Sequence, residues 1–109
     1  RGAAVVPVRP GGQAVSEAAR LLRDTYGGRC QVCAWHPEER YGTSLCEGHH
    51  LQWLSRGGDD DVDNMALLCP NHHRAVHRCD APFDHDGLAF DFGGFREALV
   101  LNEHLPLAA

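Results

Sequence analysis

No lysine occurs among the 109 residues; all ten basic residues are arginine, against fifteen acidic ones, for a formal net charge of −5. A stand-alone nucleic-acid binder carries a basic footprint, and this chain has none. If it works on DNA or RNA, other domains of a parent protein or a few focused arginines supply most of the grip. Long apolar runs are missing too. None approaches the roughly 18 residues needed to span a bilayer, which excludes a membrane-spanning helix. No basic segment followed by an apolar one stands at the N-terminus, so no secretory leader is read. The chain opens on Arg1 rather than Met, and it reads as a fragment of a longer protein or one with a processed N-terminus. A hydrophobic share of 43% excludes wholesale disorder, and 109 residues suffice for one domain but not two.

What is plentiful is cysteine and histidine, five and eight respectively. An odd cysteine count fits a disulfide framework poorly. Cys30 and Cys33 form C-x-x-C, and Cys69 opens C-x-x-H with His72. Such spacings suit zinc in a reducing compartment, and the expected location is cytoplasmic. Five of the eight histidines lie between positions 49 and 77, dense enough to suggest a metal site.

The organisation follows from periodicity and punctuation. Residues 1–12 carry two prolines and three glycines and read as a linker or arm. Over 13–26, Val15, Ala18, Ala19, Leu22 and Tyr26 fall on one helical face, with Ser16 as N-cap and Gly27-Gly28 as the stop. A cysteine knuckle is expected over 29–36, a polar loop over 37–44, a strand over 45–54 and a loop over 55–64. A second strand follows over 65–69, then a helix over 70–79 whose first turn accepts Pro70. Alternation in LAFDF (88–92) and the Gly93-Gly94 turn signal predict a hairpin with FREALVL (95–101). The fold class is α+β, with residues 13–109 as a single domain.

On the predicted helix, His73 and His77 stand at i and i+4 and share a face. His72, about 100° away, cannot easily serve the same ion. It is three residues from Cys69, so it joins a different site. Cys30, Cys33, Cys69 and His72 would close a tetrahedral structural zinc site. Cys46 is the rival for the fourth position, buried free thiols are the plain alternative, and Cys79 reads as a free thiol at a helix end. His73, His77 and one of His49-His50 would form a second, open site, the other histidine being free to take a proton from water. Spacing alone does not divide the pair.

The stretch GHHLQWLSRGGDDDVDNMALLCPNHHRAVH, residues 48–77, resembles the HNH endonuclease motif, the ββα-metal fold. It carries the His-His pair, a Gly-Gly loop, Asn64 before the second strand, the LCPN turn and H-x-x-x-H. The approach from Tyr41 through E-x-H-H resembles restriction-type members. The resemblance spans roughly residues 29–79. It implies a ββα core with flanking zinc knuckles, His49, His73 and His77 as ligands of a catalytic ion, His50 as general base, and Asn64 bracing the loop and orienting His50. It also implies phosphodiester hydrolysis leaving a 5′ phosphate and a 3′ hydroxyl. Similar members close their zinc site with four cysteines; here His72 stands where the last cysteine usually is. The implied cofactors are one structural Zn²⁺ and one catalytic divalent metal, for which imidazoles suit Zn, Ni, Co or Mn better than Mg.

Other residues carry two readings each. Arg56, Arg74 and Arg78 fall near the expected active face and are candidates for gripping phosphates, or are solvated or paired with Asp. Glu47 either positions a ligand or is a half-exposed strand residue. Asp59, Asp60, Asp61 and Asp63 lack calcium-loop spacing and read as a solvated loop. Trp35 and Trp53 read as core; His36, His85 and His104 are given no role. The leading function is a DNA-cutting nuclease domain of a restriction or defence protein, partnered by the parent protein's other domains and no membrane. A non-catalytic zinc module and an RNA-cutting nuclease are the alternatives.

Overall fold

The computed structural model describes residues 16–107. The arm expected over 1–12 and the first residues of the expected helix lie outside them. Helix α1 covers Glu17–Tyr26. Ser16 Oγ accepts the Ala19 N–H at 3.0 Å, and Gly27 takes the left-handed conformation that ends the helix. Leu22 and Tyr26 are buried on its inner face, as the period required.

The knuckle after α1 is closed by Cys30 N–H to Trp35 O and Ala34 N–H to Cys30 O. The expected polar loop over 37–44 is instead partly helical: α2 covers Pro37–Tyr41. Pro37 starts it without a lost hydrogen bond, Glu38 and Glu39 favour its positive end, and Gly42 stops it. Trp35 is not core; it is 38% exposed and meets Tyr41 edge-on.

Strands β1 (Glu47–His50) and β2 (Met65–Leu68) pair antiparallel, His49 opposite Ala66 and His50 opposite Met65. The expected first strand, 45–54, is thus shortened, because the chain turns into a 3₁₀ turn at Leu54–Arg56. A Cβ on Gly48 would lie 2.5 Å from the Met65 side chain and 3.2 Å from Ala19 Cβ. Gly48 is therefore where α1 crosses the hairpin. Strand alternation then sends His49 to the opposite face, where α3 (Pro70–Cys79) packs. Cys69 caps α3 through its sulfur, and Asp80 ends it in the left-handed region.

The C-terminal segment forms three strands, not the expected two: β3 (Phe83–Asp84), β4 (Ala89–Asp91) and β5 (Arg96–Ala98), in that order. The β4–β5 hairpin was expected; β3 is too short to show a period. The residues after β5 return over the core. Val100 and Leu101 N–H groups donate to Gln31 O, and the fully buried Gln31 side chain links Leu101 O to Leu67 N–H at 2.9 and 2.8 Å. His104 acquires a structural role, with Nε2 donating to Met65 O and Nδ1 meeting the Tyr26 hydroxyl. No helix among the described residues is long and apolar enough to cross a membrane.

Candidate metal centres on one short helix

Helix α3 sorts its histidines as the 100° rotation between neighbours demands. On one side, donor atoms of Cys30, Cys33, Cys69 and His72 all lie within 4.8 Å of one another. Cys33 and Cys69 sulfurs are 4.0 Å apart, and His72 Nδ1 is 3.3 Å from Cys69 Sγ and 3.9 Å from Cys30 Sγ. Thiolates at about 2.3 Å from one tetrahedral ion stand about 3.8 Å apart, so the cluster fits zinc. Cys30 and Cys69 are buried. Burial pushes the Cys30 and Cys33 thiols up, so without a metal they stay protonated. Cys46 is also buried and its thiol is pushed up to about 12, mainly by desolvation, but it stands outside the four-residue cluster. Cys79 is exposed at the helix end.

On the other side, donor atoms of His49, His73 and His77 lie within 4.8 Å of one another. His73 Nε2 and His77 Nε2 are 3.2 Å apart. Two nitrogens about 2.0–2.1 Å from one tetrahedral ion stand about 3.3 Å apart, so this cluster also fits a metal. His49 is 2% exposed, and its Nε2 is buried without a hydrogen-bond partner. An orphaned buried nitrogen beside two converging imidazoles is what a bound cation would satisfy.

Burial, followed by the neighbouring His73, His77 and His50, pushes His49 down to about 3. The ordinary value is about 6.5. With zinc in the cysteine-rich cluster and no ion at the three histidines, the unfolded chain therefore takes up a proton at His49 well before the folded one does as pH falls. A depressed pKa contributes stability above the unfolded value and loses it as pH falls. Stability should decline between about pH 6.5 and 3, with a slope of up to about 1.4 kcal/mol per pH unit from this group. Urea denaturation across that range, compared with His49→Gln, should show the shallower decline in the variant; equal slopes would contradict it.

Neighbouring side chains hold these imidazoles. Glu47 Oε1 lies 3.1 Å from His73 Nδ1, which favours the reading of Glu47 as a positioning residue. Trp53, half-buried rather than core, packs at 4.6 Å against His77 and carries the Arg56 guanidinium at 4.1 Å over its ring. Arg56 is itself held by Asp80 at 2.8 and 3.3 Å. Its charge is thus met, unlike the reading that gave it to phosphate. Arg74 and Arg78 line a depression of about 250 Å³ with Glu47, Pro70, His73 and His77.

His50 follows His49 on the opposite face of β1, and its Nε2 is 2.8 Å from Asp60 Oδ1. Asp60 belongs to the acidic run read as solvated; composition hides this contact. Asn64 does not touch His50 by any hydrogen bond among the described residues. Its Nδ2 donates to Gln52 O and Asp59 O, and its Oδ1 accepts from Gln52 N–H, at 3.0, 2.8 and 2.9 Å. It ties both ends of the loop that carries Asp60. Gly58 is required there, since a Cβ would fall 1.8 Å from Gln52 O.

Anaredoxin of Nostoc sp. (strain PCC 7120 / SAG 25.82 / UTEX 2576) is 32% identical over 68 residues, covering 62% of this chain and 82% of that protein. The type IV methyl-directed restriction enzyme EcoKMcrA of Escherichia coli (strain K12) is 50% identical over 36 residues, 33% of this chain and 13% of the enzyme. The modification dependent TagI restriction endonuclease shares the fold, with a TM-score of 0.64 at 22% identity over 92% of this chain and 35% of that one. The chain thus spans only a minor part of either restriction enzyme. The HNH endonuclease family model matches residues 30–86, more than half of the chain, and takes in the knuckle, both strands of the hairpin and all of α3. On that match the chain belongs to the HNH endonuclease family.

Proposed function

We propose that this nuclease is the metal-dependent, DNA-cutting module of a restriction-type defence protein, with residues 13–109 as its single domain and the parent protein's other domains supplying target recognition. The observation that carries the reading is the division of α3: His72 turns to three cysteines, while His73 and His77 converge with the orphaned Nε2 of His49. His49, His73 and His77 would hold a divalent ion, and the Cys30–Cys33–Cys69–His72 cluster would hold structural zinc. When bound, the catalytic ion supplies charge stabilisation at the phosphate and the leaving oxygen. His50 accepts the proton of the attacking water, and Asp60 at its Nε2 steadies the imidazolium that results. Asn64 keeps the loop in the register that brings Asp60 to His50. DNA is favoured over RNA because EcoKMcrA and TagI are restriction enzymes. The test is nicking of supercoiled plasmid by protein that keeps its structural zinc after mild chelation and is then resupplied with Zn, Ni, Co, Mn or Mg. Cleavage with none of them would sink the nuclease reading in favour of a zinc-binding module.

Arg74 and Arg78 would grip the backbone from the depression beside His73 and His77. Replacing either with alanine should weaken DNA binding regardless of sequence and lower the slope of log K against log salt by about 1. Arg56→Ala should leave that slope unchanged, because Asp80 already neutralises Arg56. Binding titrations at several salt concentrations measure both.

A further inference from the structure

Adjacent imidazoles on α3 are each gripped on the nitrogen they do not offer. His73 meets Glu47 through Nδ1 and points Nε2 at His77. His72 is reversed: its Nε2 lies 3.2 Å from Glu97 Oε2, and its Nδ1 faces the sulfurs of Cys69 and Cys30. A neutral imidazole has one N–H and one lone pair, and a carboxylate only accepts. Contact with Glu97 therefore holds the proton on Nε2 and leaves the lone pair on Nδ1.

We propose that Glu97 is a positioning residue for the zinc centre: it assigns Nδ1 of His72 as the metal-binding nitrogen and makes the C-terminal sheet part of that centre. The proposal rests on the reading of Cys30, Cys33, Cys69 and His72 as a zinc site. Glu97 lies in β5, where it pairs across the ladder with Phe90. Phe90 is buried and packs at 5.7 Å against His49. The sheet therefore touches both centres, holding His72 at one strand and backing His49 with the next. The contact is only partly exposed, with 19% of the His72 side chain and 35% of the Glu97 side chain open to solvent. An outer carboxylate of this kind fixes the tautomer and ring orientation of a ligand histidine, and its removal typically costs 10–100-fold in metal affinity.

The test uses the full chain, ¹⁵N-labelled and zinc-loaded. Zinc content is measured first, because a chain without firmly bound zinc would overturn the site reading and the proposal together. With zinc present, two-bond ¹H–¹⁵N correlation spectra distinguish metal-bound from protonated imidazole nitrogens. The expected pattern for His72 is metal-bound Nδ1 and protonated Nε2; metal-bound Nε2 would overturn the proposal while leaving the zinc site standing. Glu97→Ala should bind zinc about 10–100-fold more weakly in competition with a chromogenic chelator. Glu97→Gln, whose amide oxygen can still accept from Nε2–H, should restore most of the difference and keep the Nδ1 pattern. Zinc affinity in Glu97→Ala equal to that of the parent would also overturn the assignment.

Discussion

Cys69→Ser is expected to yield a chain that holds no zinc and shows no cooperative thermal transition. Serine is a good helix N-cap, so the substitution preserves the capping bond that Cys69 Sγ accepts from the His72 N–H. What it removes is a thiolate from a four-donor cluster in which Cys30 and Cys69 are almost fully buried. Structural zinc supplies about 10–16 kcal/mol in small zinc-dependent peptides, comparable with the whole net stability of about 5–15 kcal/mol of an ordinary domain. The knuckle, α3 and the C-terminal sheet all converge on that cluster, and without the ion nothing of similar strength joins them. Circular dichroism and elemental analysis read the two outcomes. A soluble Cys69→Ser protein melting at the parent temperature would remove the zinc assignment.

The second large effect separates His50 from its neighbour. His50→Ala should lose about 10²–10⁴-fold in cleavage, the usual contribution of a general base, and still bind the exchangeable ion. His49→Ala should lose the ion, as should His73→Ala and His77→Ala, since each leaves two protein donors of three. The geometric basis is strand alternation: His49 is buried against α3, whereas His50 turns away to Asp60. Calorimetric titration of Ni²⁺ or Co²⁺ into both variants decides it. Metal retained by His49→Ala and lost by His50→Ala would reverse the two roles. Asn64→Ala should slow cleavage less than His50→Ala, because it acts through the loop and not on the water.

The parts of this molecule that could be read from its residues are those governed by local rules. Ser16, Gly27 and Pro70 mark helix ends through backbone geometry, and the observed bounds of α1 and α3 follow them. The separation of His72 from His73 needed only the helical pitch. Other features depend on which distant segments meet. Glu97 is 25 positions from His72, and Gln31 is 70 from Leu101. No period or spacing announces such partners. Asp60 looked like one of several solvated carboxylates because its role depends on where a fourteen-residue excursion, 51–64, returns. Arg56 was ambiguous for the same reason: only the tertiary arrangement places Asp80 within its reach.

Gln31 has a consequence for how the protein behaves in a crowded solution. Strand β2 is buried along its whole length, and a two-stranded ribbon ordinarily offers an unpaired flank on each side. Here a side chain and a backbone amide from one residue dock on the outer flank of β2, taking up Leu67 N–H and Leu67 O, and His104 takes Met65 O. The flank that could recruit a strand from another copy of the chain is thereby plugged by two residues from opposite ends of the fold. Because Gln31 also stands between Cys30 and Cys33, a change at position 31 would bare the flank of β2 as a template for self-association and loosen the zinc knuckle in the same stroke.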